Sequence, residues 1–280
     1  MYEVSRSLGL ILINLFSERG FQIGLAIKIC FLICIFPIIQ TEWFVPFIVS
    51  FLNNPSLSPW DHFISSGGDL LAFPYGPTMF LVYLPATTFG WLFDNIFNSS
   101  YFVNFGFQLT LLIADIFLLL TLIQQFHQYR KQIIIYYWLS PLILYITYWH
   151  GQIDLIPVAF LFYSIGLLKT GDYKLGGIFL ALSVTAKYSM LIGVPLIFVY
   201  LWLNQNVKGG FWETLVPFSI VSLIIMTPFL FFPGFWEMVI SNRDVDKLFS
   251  LAIKLGNGVS IYVLPTAYLV FLYYAWRMQR

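Results

Sequence analysis

The stretch Tyr148-Trp149-His150-Gly151-Gln152-Ile153-Asp154-Leu155-Ile156-Pro157 decides how the rest of the chain is interpreted. It lies between two apolar runs, 133–149 and 155–168, and is called the polar connector below. It carries an imidazole, an amide and a carboxylate within five residues. Such groups are costly at membrane depth unless they face a cavity or a partner. The simpler alternative to a functional site is a hairpin whose polar groups only cap two helix ends. Other polar segments of the chain decide between these two interpretations.

The composition places the chain in a membrane. Of its 280 residues 59% are hydrophobic and 10% are charged, and the mean hydropathy is +0.82. Soluble domains carry about a quarter charged residues. The apolar runs approach the length of about 20 residues that a bilayer crossing needs, which predicts a polytopic protein. A net charge of +1 argues against nucleic acid as a partner.

The distribution of Lys and Arg predicts the topology. These residues favour cytoplasmic loops. Arg6 and Arg130 reach the same side only if one apolar run does not cross, and the run 75–96, interrupted by Pro85, is the natural choice for a re-entrant helix. The sequence then predicts an all-α polytopic membrane protein, one transmembrane domain over 1–280. Its eight predicted crossings are 20–39, 102–124, 133–149, 154–168, 175–186, 188–203, 214–232 and 258–276.

The segment 40–74 is predicted to be an outer-face loop of short juxtamembrane helices joined by tight turns. It contains no Lys or Arg and is rich in Pro, Gly and Asn, which mark turns. Its acids are Glu42, Asp61 and Asp69. Acids at a site can act as a general base or hold a divalent cation. Each acid taken alone is more simply a solvated loop residue, but the aromatic neighbours of Glu42 are expected to bury that side chain partly.

Two cations and one buried acid complete the candidates. Lys187 interrupts the 28-residue apolar stretch 176–203, so the stretch should form two short crossings with Lys187 at the outer tip. There it either pairs with a phosphate or only snorkels to the interface. Arg243 lies in a mixed-charge run of the last outer loop and could hold a second phosphate oxygen or simply be solvated. Asp115, inside a crossing, is either a hydrogen-bonded packing group or a proton relay.

Four short segments resemble a known family when taken in order. They are Gln40–Phe47 with Glu42, Phe73-Pro74-Tyr75-Gly76-Pro77, Gly151-Gln152-Ile153-Asp154, and Gly176–Lys187. Together they resemble the GT-C glycosyltransferases that use polyprenyl-phosphate sugars, above all the bacterial polyprenyl-phosphate mannosyltransferases and the mannosyltransferase of GPI-anchor assembly. The likeness covers about 40–203. The acid of the family is usually Asp, and many relatives have more C-terminal crossings than this chain.

The resemblance implies an inverting hexosyltransferase, with mannose or a similar sugar as the transferred group. It implies a polyprenyl-phosphate sugar donor, a glycan or lipid acceptor, and a site on the periplasmic face of a bacterial inner membrane. Glu42 is implied as the catalytic base and Asp154 as a possible ligand of Mg²⁺ or Mn²⁺. The predicted substrate-binding residues are Asp61, Asp69, Tyr75, His150, Gln152, Asp154, Lys187 and Arg243.

Two other classes compete with this interpretation. A transporter or lipid flippase would place broken helices and polar groups near the midplane, often within internal repeats. Here the polar groups cluster at one face and no repeat is evident, which favours the enzyme. A non-catalytic subunit with the same fold would act as a scaffold for a partner. Transfer of labelled sugar from a polyprenyl-phosphate donor distinguishes the three.

Overall fold

The computed structural model describes residues 2–204, 209–241, 247, 249–256 and 259–278. The described chain is mostly helical, as predicted. Its N-terminal helices are α1 (Tyr2–Phe16), α2 (Arg19–Cys34), α3 (Val45–Asn53, preceded by a π-helical turn Gln40–Phe44), α4 (Pro59–Ser65), α5 (Pro77–Phe97) and α6 (Tyr101–Gln125).

The second half begins with a broken segment. The short helices α7 (Arg130–Ile133) and α8 (Pro141–Leu144) each continue into a π-helical turn, Ile134–Trp138 and Tyr145–Trp149. The later elements are α9 (Leu155–Lys169), α10 (Tyr173–Ala186), a 3-10 segment (Tyr188–Ile192), α11 (Gly193–Leu203), α12 (Gly210–Met226), α13 (Pro233–Phe235, continuing as the π-helical turn Trp236–Ile240), β1 (Ala252–Gly256), β2 (Val259–Tyr262) and α14 (Val263–Met278).

Basic residues gather at one end of the helix bundle. Arg130 forms an ion pair with Glu18, just before α2, with 2.5 Å between Nη2 and Oε1. The ammonium of Lys169, at the end of α9, lies 5.3 Å from the centre of the Phe126 ring. This end of α2, α6 and α9 is called the basic end. Arg130 and Lys169 therefore share one end of the bundle, and their cytoplasmic location stays a prediction.

Helices α5 and α6 form an antiparallel hairpin. Asn98 makes the turn with a left-handed φ of 50°, and the Asp94 carboxylate accepts the backbone N–H groups of Phe102 and Val103 at the start of α6. Pro85 lies inside α5 without breaking it. The helix α5 is therefore continuous over 21 residues, about 31 Å long, and the chain does not turn back inside it; the re-entrant or juxtamembrane position of 75–96 stays a prediction.

Two predicted segments are interrupted in the structure. The run 133–149 was expected to be one crossing, but Pro141 starts a new helix there with the Ser140 side chain as its N-cap, so the run is split. The predicted loop 233–256 and crossing 258–276 contain an antiparallel hairpin, in which Ala252 pairs with Tyr262. The short helices predicted within 40–74 are present as α3 and α4.

Aromatic side chains hold α3, α4, α5 and α13 together. Phe47 stacks on Phe73 with ring centres 4.4 Å apart, and Trp60 contacts Phe80 and Phe235 edge-on or tilted. All five side chains are buried. Such rings bury large apolar areas in few residues, which lets short helices pack stably.

By length and hydropathy, α6 is the one described helix able to cross a membrane alone. The pair Leu8–Phe16 and Arg19–Cys34 passes the same test together, although it is bent by 88°. Four more apolar helices of 10–17 residues lie in the described chain, Leu155–Lys169, Tyr173–Ala186, Tyr188–Leu203 and Gly210–Met226. The number of eight crossings stays a prediction.

Candidate functional site

Three of the predicted site residues meet in one cluster. Lys187 Nζ lies 2.6 Å from Asp154 Oδ1, and the Tyr75 hydroxyl donates to the same oxygen at 3.0 Å. The ammonium also lies 5.1 Å from the centre of the Tyr75 ring, within range of a cation–π contact. Tyr75 is buried, whereas Asp154 and Lys187 are partly exposed. We call these three residues the Asp154 cluster.

The end of α10 places Lys187. The helix stops at Ala186, and Lys187 takes an extended conformation with φ −148° and ψ 123°. The chain therefore leaves the helix where the sequence predicted the apolar stretch to split. Gly76 donates its backbone N–H to the Ala186 carbonyl at 2.9 Å, and a Cβ at Gly76 would lie 2.0 Å from the Thr185 carbonyl oxygen. Only glycine allows this approach, which brings Tyr75 to the end of α10.

The polar connector places Asp154. Gly151 turns the chain with a left-handed φ of 87°, and its Cα faces Pro37 so closely that a Cβ would lie 2.7 Å from the proline ring. Gln152 then donates its backbone N–H to Ile146, and Ile153 is fully buried. Asp154 follows as the residue before α9. The connector is thus a tight, well-packed turn with its carboxylate directed at Lys187.

Glu42 lies on a neighbouring segment but is not buried. It belongs to the π-helical turn Gln40–Phe44, and the Phe44 ring packs against Tyr75 with centres 5.7 Å apart. From the sequence, the aromatic residues around Glu42 are expected to shield it partly. That expectation is wrong, since the Glu42 side chain is exposed while Phe44 and Phe47 point into the core.

The other two acids of the loop serve local structure. Asp61 Oδ1 accepts the backbone N–H of Gly234 at 2.5 Å, and Asp61 Oδ2 accepts the Ser58 hydroxyl at 2.5 Å. Asp61 therefore joins α4 to α13. Asp69 is exposed and accepts the backbone N–H of Leu71 at 2.8 Å. The structure does not place either carboxylate in the Asp154 cluster.

The remaining predicted residues are outside the cluster or undescribed. His150 is exposed, with its ring 6.3 Å from that of Tyr145. Gln152 is half-buried and lies two residues before Asp154 in the sequence. Arg243 lies outside the described residues, so its predicted contact with phosphate has no structural description.

The described residues do not fit a divalent cation at Asp154. Within the described part of the chain, no three His, Cys, Asp or Glu side chains lie close enough to share a metal ion. Asp154 itself already binds an ammonium and a phenol. Divalent cations of this type need several oxygen ligands.

A second polar group lies inside the bundle. The sequence predicted one member, Asp115, but not its partner. Asp115 on α6 and Lys28 on α2 form an ion pair with 2.5 Å between Oδ2 and Nζ, and both side chains are 0% exposed. The hydroxyls of Tyr137 and Tyr148 donate to the two Asp115 oxygens, each at 2.7 Å. The Lys28 ammonium lies 4.0 Å from the Trp138 ring centre. Asp115 is therefore buried and hydrogen-bonded, as the first alternative expects, and the proton-relay alternative stays a hypothesis.

The signal for this pair was in the sequence. Lys28 and Asp115 each interrupt an apolar run, and opposite charges at membrane depth are expected to pair with one another.

The comparisons with known proteins add no family to these observations. No family model, no curated protein and no solved structure matches the chain.

Proposed function

We propose that this chain is a multi-pass membrane glycosyltransferase that moves a hexose from a polyprenyl-phosphate donor to a glycan or lipid acceptor. The site lies at the outer ends of α9 and α10, on the periplasmic side if the protein is in a bacterial inner membrane. The observation that carries the proposal is the Asp154 cluster, in which three separately predicted segments supply an ammonium, a carboxylate and a phenol.

The cluster provides a cation that can be exchanged between partners. Lys187 is paired with one carboxylate oxygen, and about a quarter of its side chain, 26%, stays exposed. A donor phosphate arriving beside Asp154 could take the ammonium, because charge-assisted contacts to phosphate are among the strongest hydrogen bonds in proteins. Tyr75 would retain Asp154 through its hydroxyl. The carboxylate thereby keeps one partner in both states.

The proposed reaction is a single displacement at the anomeric carbon. The acceptor oxygen forms the new bond to carbon while the bond from carbon to the phosphate oxygen breaks. The electron pair leaves with the lipid phosphate, and Lys187 stabilises the added negative charge. The acceptor proton goes to Glu42, whose side chain is exposed. Glu42 lies on the π-helical turn whose Phe44 ring packs against Tyr75. Attack from the side opposite the leaving group inverts the anomeric configuration.

The test measures transfer of radiolabelled mannose from polyprenyl-phosphate mannose by the full chain in liposomes that contain candidate lipid and glycan acceptors. Lys187→Met should weaken donor affinity about tenfold to a hundredfold, as expected for loss of a charged contact. Lys174→Met is the matched control, because Lys174 lies in the first turn of the same helix, at the opposite end. It should bind donor like the unmodified protein.

Glu42→Gln tests the base in the same assay. Turnover should fall by about 10² to 10⁴ with donor binding intact, because the amide cannot accept the proton. Glu213→Gln, an acid in the first turn of α12, is the control and should transfer at the native rate. Native transfer by Glu42→Gln together with an inactive Asp154→Asn would move the base to the connector. Absence of transfer with every acceptor would contradict the proposed activity.

One observation favours a transporter or flippase as the second candidate. The Lys28–Asp115 pair is ionisable and fully buried between α2 and α6, as in many transport pathways. Movement of a fluorescent polyprenyl-phosphate lipid between the leaflets of the same liposomes, without any glycosylated product, would support this alternative. Lack of both activities would favour the scaffold.

A further inference from the structure

The buried pair is connected to the polar connector through one side chain. Tyr148 is fully buried and donates its hydroxyl to Asp115 Oδ2 at 2.7 Å. It lies in the π-helical turn Tyr145–Trp149, whose last two residues are also the first two residues of the connector. The two backbone hydrogen bonds that shape the start of the connector, His150 to Tyr145 and Gln152 to Ile146, are accepted within this turn.

The buried pair and the Asp154 cluster are also near each other in space. The Asp154 carboxylate lies within electrostatic range of the Tyr83 phenol, and Tyr83 lies within the same kind of range of the Tyr148 phenol. Tyr83 is fully buried, stacks on Phe107 with ring centres 3.9 Å apart, and its hydroxyl has no hydrogen-bond partner among the described residues. A buried, stacked ring is therefore close to both groups.

Asp115 is well suited to hold Tyr148 in one position. Its two oxygens accept three donors from three different elements, namely Lys28 of α2 and the phenols of Tyr137 and Tyr148. A buried carboxylate that is fully satisfied specifies one arrangement of its neighbours, since any displacement leaves a donor or a charge unpaired.

We infer that Tyr148, held by Asp115, is a positioning residue for Asp154 and, through Asp154, for Lys187. Tyr148 anchors the first turn of the connector, and the rest of the connector sets the carboxylate at 2.6 Å from the ammonium. The inference concerns the geometry of the cluster and does not depend on sugar transfer. Its failure and the failure of the proposed activity are therefore separate results.

Tyr137 provides an internal control for the test. Its phenol donates to the same carboxylate at the same distance, 2.7 Å, but its π-helical turn, Ile134–Trp138, does not lead into the connector. Tyr148→Phe and Tyr137→Phe each remove one hydroxyl from Asp115. Thermal unfolding should show similar losses of stability, whereas only Tyr148→Phe should change the Asp154 cluster.

The readout is the rate at which an N-hydroxysuccinimide ester modifies Lys187 in the detergent-solubilised full chain, followed by mass spectrometry at constant pH. Asp154→Asn removes the paired charge and defines the highest rate. Tyr148→Phe should raise the rate about fivefold, the factor that corresponds to one lost hydrogen bond, without exceeding the Asp154→Asn value. Tyr137→Phe should react like the unmodified protein.

Two results would overturn the inference. One is an equal rise in both phenylalanine variants, which would indicate general loosening. The other is an unchanged rate in Tyr148→Phe. If Tyr148→Phe does not fold, Asp115→Glu replaces it, because the longer side chain keeps the charge but shifts the acceptor of Tyr148. Its Lys187 rate should also rise, and a native rate there would contradict the inference.

Discussion

Removing the charge of Lys28 should reveal how strongly the buried ion pair stabilises the fold. In Lys28→Met the side chain keeps a similar length, but Asp115 loses the partner that lies 2.5 Å away. Both side chains are 0% exposed, so no water can replace the ammonium. Breaking a buried pair by removing one partner costs about 3–5 kcal/mol. We expect the free energy of unfolding to fall by this amount.

The same chain offers an exposed pair for comparison. Arg130 and Glu18 are also 2.5 Å apart, but their side chains are 28% and 36% exposed. Exposed pairs contribute about 0–1 kcal/mol, so Glu18→Gln should cost no more than that. Because the contact distances are equal, the difference between the two variants measures burial rather than geometry.

The assay is unfolding in mixed micelles of increasing denaturing detergent, followed by tryptophan emission. Trp138 packs 4.0 Å from the Lys28 ammonium and reports this part of the bundle. The double variant Lys28→Met/Asp115→Asn removes both charges and leaves an amide oxygen for a phenol. It should be more stable than Lys28→Met. The reasoning is refuted if Lys28→Met costs no more than Glu18→Gln, or if the second substitution adds a further loss.

Two other predictions concern packing and topology. Gly76→Ala should lower the unfolding temperature and raise the reactivity of Lys187, because the added Cβ would lie 2.0 Å from the Thr185 carbonyl oxygen. Gly9→Ala is the control, since its Cβ would have nothing within 4 Å, and it should leave both quantities unchanged or slightly improve stability. Equal behaviour of the two variants would contradict the close approach at Gly76. The topology is tested in spheroplasts with a membrane-impermeant maleimide, after the two native cysteines have been replaced. A cysteine introduced at Ser65 should react, while one introduced at Arg130 should not. Labelling of both positions from one side would refute the assigned topology.

The sequence was most informative where charge interrupts an apolar run. Lys187 divides a stretch longer than one crossing needs, and the structure ends α10 at the preceding residue. Asp115 was identified in the same way and is buried and hydrogen-bonded. Both predictions depend on the free-energy cost of a charge in an apolar environment. A single charged residue in an apolar run is enough to indicate it.

Contacts between distant segments were beyond such patterns. The Tyr75–Asp154 hydrogen bond joins residues 79 positions apart, and no periodicity in the sequence indicates it. The exposure of Glu42 was predicted wrongly because aromatic neighbours in sequence point to the opposite side of a helical turn. The β1–β2 hairpin was missed although Asn257-Gly258, a dipeptide typical of hairpin turns, stands between its strands in the sequence.

The antiparallel packing of α5 on α6 has a consequence for how the Asp154 cluster responds to electrolyte. Tyr83 stacks on Phe107, and the six residues from Tyr83 back to Pro77 extend about 9 Å toward the basic end. The start of α5, and the cluster beside it, therefore lie roughly midway along the 25 residues of α6. If α6 crosses the bilayer, mobile counter-ions are largely kept away from this depth. Screening acts mainly on charges that face the solvent, so the affinity of Lys187 for an anion should depend less on ionic strength than that of a fully exposed lysine.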